Sequence, residues 1–96
     1  MIQSEARVST TRASRYLGQL CKHFEHRIPA TYTRDHGRLE FQSGVCHLDA
    51  EPDVLIMRAE AEDETKLGQL QDVVARHLER FAFRDRPDIR WTRGGV

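Results

Sequence analysis

The chain has 96 residues, enough for one domain with a modest core, and its fifteen basic and fifteen acidic side chains cancel. That balance argues against a net electrostatic pull toward nucleic acid or an anionic membrane, and two cysteines are too few for a disulfide scaffold. No apolar run is long enough to span a bilayer and MIQSEARVST lacks a signal-peptide pattern, so a cytoplasmic protein with both thiols reduced is expected.

Residues Ile2 to Ser9 alternate, with Ser4, Ala6 and Val8 on one side and Glu5 and Arg7 on the other, the mark of a strand with one wet face. Ser9, Thr10 and Thr11 are candidate caps for a helix that begins at Ala13. Ala13, Leu17, Leu20, Cys21, Phe24 and Ile28 share its apolar face, and Pro29 ends it at Ile28. Ala30 to Arg34 reads as a short strand. Asp35-His36-Gly37 then turns the chain, with Gly37 suited to a positive φ.

Arg38 to Gln42 and Val45 to Ala50 alternate around a Ser43-Gly44 turn. Leu39, Phe41, Cys46, Leu48 and Ala50 face inward. Glu51-Pro52-Asp53 turns into the strand Val54 to Ala61, with Leu55, Met57 and Ala59 inward and Val54 and Ile56 outward. Asp63 to Phe83 is a long amphipathic helix with Asp63 as N-cap and Leu67, Leu70, Val74, Leu78 and Phe81 as its stripe; His77 lies on the flank. Pro87 breaks the chain, Asp88 to Thr92 is a last strand with Ile89 and Trp91 inward, and Gly94-Gly95-Val96 is a frayed tail.

The order β-α-β-β-β-β-α-β, with hairpin-length connections, predicts an α+β two-layer sandwich. It has an antiparallel sheet with both helices on one face. By analogy alone, this is the order of one repeat of the TATA-binding-protein-like fold, and fold does not carry function. Composition and pattern leave the order of strands in the sheet open.

The segments from Gln19 to Pro29 (QLCKHFEHRIP) and from His77 to Arg84 (HLERFAFR) resemble the two signatures of the DUF2218 family. Gly44-Val45-Cys46-His47-Leu48 and Trp91 also fit its pattern. The resemblance spans nearly the whole chain. It implies a small prokaryotic protein without an established activity, in an iron-related context through relatives linked to siderophore-interacting proteins. It supplies no catalytic residue and no cofactor.

Thiolate and imidazole are ligands for zinc, iron and copper, which draws attention to Cys21, His23, His26, Cys46, His47 and His77. The Cys-x-His-x-x-His spacing is no standard zinc motif, and helical phase sets Cys21 on the buried face, His23 near the rim and His26 nearly opposite. The simpler reading makes both cysteines core residues and His23, His26 and His47 surface groups. His77 has two readings, a packed and hydrogen-bonded histidine or a ligand contact. In the second, the groove between the helices would be lined by His77 with Cys21, His23 and Tyr16.

The outer sheet face would display Glu5, Arg7, Arg38, Glu40, Gln42, His47, Asp49, Arg58, Glu60 and Arg90. It lacks the stacking aromatics of a single-stranded RNA platform and the basic excess of a DNA reader. Exposed Val54 and Ile56 suggest a protein partner or a homodimer. The sequence therefore points to a non-enzymatic accessory or binding protein. The alternative is a metal- or thiol-dependent enzyme centred on Cys21 and His77, and no small-molecule ligand is identified.

Overall fold

The computed structural model describes residues 1–94. Six strands and two helices follow in the order β1 (Ile2–Ser9), α1 (Ala13–Phe24), β2 (Ala30–Tyr32), β3 (His36–Phe41), β4 (Gly44–Glu51), β5 (Val54–Ala61), α2 (Glu64–Phe81) and β6 (Thr92–Arg93). They form one antiparallel sheet of order β2-β3-β4-β5-β1-β6. Tight turns make β2 to β5 a meander. The longer connection through α1 lets β1 pair with β5, full length, from Ile2 opposite Ala61 to Ser9 opposite Val54.

The strand alternation decides which face is dry. Ala6, Val8, Leu39, Cys46, Leu48, Leu55, Met57 and Ala59 point to one side and are buried there. Leu17, Leu20 and Cys21 of α1, with Leu67, Leu70, Val74 and Leu78 of α2, close over them in one cluster. Burying each large aliphatic side chain contributes roughly 1.5–3 kcal/mol, so this layer dominates the stability of so small a domain. Asp63 caps α2, its carboxylate accepting from the Lys66 N–H at 2.8 Å. On the dry face the Ser4 hydroxyl, 2 % exposed, accepts from Gln71 Nε2 at 2.6 Å, which ties β1 to α2.

Several expectations are corrected. Helix α1 ends at Phe24 and not at Ile28, because the amides of Arg27 and Ile28 both fold onto the Phe24 carbonyl before Pro29. Its N-cap position is Arg12, whose side chain makes no cap; Thr10 Oγ1 instead accepts from the Arg12 N–H at 3.0 Å. Helix α2 ends at Phe81, two residues short of Phe83. Gly37 is not a turn residue. It lies inside β3, where a Cβ would stand 2.8 Å from Cys21 Sγ, so it is glycine for close helix–sheet approach. Among the described residues the positive-φ glycine is Gly44, at 153°, and a Cβ there would collide with the Glu60 carbonyl oxygen.

Residues Asp88 to Trp91 are not strand; Ile89 and Trp91 still pack on the core, and only Thr92 and Arg93 pair with β1. Gly94 donates to the Gln3 carbonyl at 2.8 Å and is not frayed, while Gly95 and Val96 lie outside the described residues. Ile56 does face outward, opposite Arg7 and Asp49 on the neighbouring strands, yet it is only 7 % exposed. Strand β5 is also internal to the sheet, between β4 and β1, so Val54 and Ile56 do not lie on a free strand edge.

Candidate functional site

The helix pair runs antiparallel, which places the end of α1 against the last turns of α2, at His77 and Phe81, and the start of α1 against Asp85, beyond the end of α2. Two side-chain groups result, one at each end of the seam between the helices.

At the first, His23 and His77 meet with ring centroids 4.9 Å apart. Phe24 packs against both rings, and Phe81 lies edge-on to His23. The His77 Nδ1–H donates to the Val73 carbonyl at 2.7 Å, one turn back along α2. That bond fixes the tautomer and leaves the Nε2 lone pair unclaimed by backbone. His23 is exposed and His77 half-buried. Partial burial, then the charges of His77, Arg27, Arg80 and His26, lower the pKa of His23 below the usual imidazole value. The His23 ring is therefore biased toward its neutral form beside a cationic rim.

At the other end, α2 stops at Phe81 and the chain turns so that Asp85 reaches back to α1. Tyr16 Oη–H donates to Asp85 Oδ2, Arg12 Nη1 donates to Asp85 Oδ1 at 2.6 Å, and Thr10 Oγ1 lies 3.4 Å from Oδ2. The Tyr16 hydroxyl, with Arg12, holds the Asp85 carboxyl below the usual carboxylate range. Partial burial, then the hydrogen bond to Asp85, pushes the Tyr16 phenol up. Arg12, Arg15, Tyr16, Phe83, Arg84 and Asp85 line a cleft of about 560 Å³.

Of the four groove residues read from the sequence, the structure brings His77 and His23 together, as their helical phase predicts. Tyr16 lines the same seam, seven residues along α1 and at its far end. Cys21 is a correction: it is fully buried and turned to the sheet against Gly37, not into the groove. Burial pushes its thiol up to about 11. Cys46 is also fully buried; desolvation, with the nearby Cys21, pushes it to about 12. Both cysteines are unpaired thiols.

His26 is exposed, and His47 sits on the outer face, where its Nε2 is 3.6 Å from Glu60 Oε1. Among the described residues no three His, Cys, Asp or Glu side chains converge as a metal cage. The helices also leave no membrane-spanning candidate among the described residues: none is long and apolar enough.

The outer sheet face carries the expected alternation of charge. Asp49 joins His36 Nδ1 and Arg58 Nη2, each at 2.7 Å, and Arg38 meets Glu40 at 2.6 Å. Gln42 lies in a turn and Arg90 pairs with Asp88 outside the sheet, so neither belongs to this face. His36 was missed because the expected turn removed it from β3. Asp85, Arg15 and Arg84 were missed because nothing local marks them; they matter only once α1 and the end of α2 are adjacent.

The fold has a solved counterpart. The chain is similar to the NMR structure of PA4090 from Pseudomonas aeruginosa, with a TM-score of 0.82 and 37% identity, over 96% of each chain. No curated protein matches it. Residues 5–92 match the family described as an uncharacterized protein conserved in bacteria, DUF2218. With nine-tenths of the chain inside that match, and the resemblance of its two helix segments pointing the same way, the chain belongs to the DUF2218 family.

Proposed function

We propose that this protein is a non-enzymatic accessory protein that holds an anionic ferric chelate on its helix layer, in an iron- and siderophore-related context. The observation that carries the reading is the His23–His77 pair: two touching imidazoles at the rim of the seam, one fixed by its backbone bond, among Arg27 and Arg80. Imidazole and guanidinium groups together suit an anion that carries a metal within its own ligand shell. A bare cation would meet the surrounding positive charge. The iron context itself comes from the family resemblance.

The thiol form of an enzyme is disfavoured by chemistry, since the nucleophile is the thiolate and both thiols are buried with raised pKa values. A ferric tris-catecholate titrated into isotopically labelled protein tests the reading. Paramagnetic broadening should centre on His23 and His77, and the gallium(III) analogue should shift the same resonances without broadening them. His77→Ala should weaken binding about tenfold with little loss of stability. Chemical conversion of the chelate, stoichiometric tight metal in protein purified without chelator, or broadening spread evenly over the surface would sink the proposal.

A further inference from the structure

The cleft at the far end of the seam has a chemistry of its own. Arg12 is spent on Asp85, and Asp85 in turn is engaged by Tyr16, Arg12 and Thr10. Arg15 and Arg84 make no ion pair among the described residues, so within these residues the cleft holds a positive excess. Phe83 stands beside them with 65 % of its surface exposed, one of the few large apolar side chains the fold leaves in water. The Arg84 guanidinium carbon lies 5.6 Å from its ring centroid. The first turn of α1 lines the same cleft and has no side-chain cap, so its partial positive charge adds to that of the arginines.

We propose that this cleft binds a small aromatic anion, an arene carboxylate, through Arg15 and Arg84 on the carboxylate and Phe83 against the ring. A guanidinium fork matches a carboxylate in two parallel hydrogen bonds. An arene is the apolar group that gains from both an exposed phenylalanine and a stacked guanidinium. Tyr16 and Arg12 are positioning residues: by gripping Asp85 they hold the turn after α2 against α1, which sets Phe83 and Arg84 opposite Arg15. The volume of about 560 Å³ suits a one- or two-ring ligand. The site is separate from the His23–His77 nest, about 10 Å away along α1 by helical rise.

Titration of the full chain with 2-naphthoate, followed by amide and guanidinium NMR shifts, tests it. Saturable shifts are expected at Arg15, Tyr16, Phe83 and Arg84, with His77→Ala binding as tightly as the natural chain. The neutral 2-naphthamide should bind about tenfold more weakly, and the saturated decalin-2-carboxylate should also lose several-fold. Arg15→Gln and Arg84→Gln should each cost about fivefold and their combination should abolish saturation, in proteins whose spectra and urea midpoints show the native fold. Equal binding of the amide or the saturated acid overturns the proposal. So does binding that survives the double variant, shifts centred elsewhere, or no saturable shift in folded protein.

Discussion

Cys21 and His23 are two residues apart on α1 and live in opposite surroundings. Cys21 is pressed against β3, fully buried, within 2.8 Å of where a Gly37 Cβ would stand. His23 is on the rim, exposed, in contact with a second imidazole. Two residues turn a helix through roughly 200°, so one face is dry packing and the other is accessible polar chemistry. The contrast teaches where reactivity can sit in this fold. The residues with the most reactive chemistry on paper are sealed in the layer that stabilises the domain, and the available chemistry lies along the seam between the helices.

The largest expected effect tests the sealed side. With thiols pushed to about 11 and about 12, the thiolate fraction at pH 8 is at most about one part in a thousand, before access is considered. A free cysteine is about one-quarter thiolate at that pH, so alkylation by iodoacetamide should be slower than that of a free cysteine by about two hundredfold or more, and should become fast in urea. Rapid labelling of Cys21 in folded protein would place it in the groove after all.

A smaller effect tests how tightly that layer is closed. Gly37→Ala should destabilise by about 1–3 kcal/mol, because the new methyl meets Cys21 Sγ in a packed core. Combining it with Cys21→Ala should recover part of the loss, a coupling that a double-mutant cycle in urea measures directly. Additive costs would mean that the contact between β3 and α1 is looser than described.

The smallest effect belongs to the rim. His23 has a lowered pKa, so the unfolded chain takes up its proton first as the pH falls. The stability that its neutral form contributes is complete above about 6.5 and is lost as the pH drops through the lower, folded value. Urea midpoints measured between pH 7.5 and pH 5 should fall less steeply in His23→Gln than in the natural chain. An identical slope in both would show that the imidazole pair is not coupled as its geometry implies.

Much of the architecture was written in local pattern. Alternation in β1, β4 and β5 sets their inward residues, and the stripe from Leu67 to Leu78, with the cap at Asp63, defines α2. The same helical phase separates Cys21 from His23 and turns His23 and His77 toward one seam. These features are legible because side-chain direction follows from the backbone period alone. Element ends were less so: Gly37 looks like a turn glycine until Cys21 is laid over it, and Phe83 looks helical until α2 stops at Phe81.

Other features came only from tertiary placement. The register that pairs β1 with β5 makes β5 internal, with strands on both sides of Ile56, and that outward residue is buried. Asp85 gains its meaning from Tyr16 and Arg12, some seventy positions earlier, and His36 gains its own from Asp49 across a strand pair. A side chain's direction is set by its immediate neighbours in sequence. What it meets, and whether its charge is answered, depends on which distant segment the packed core brings opposite it.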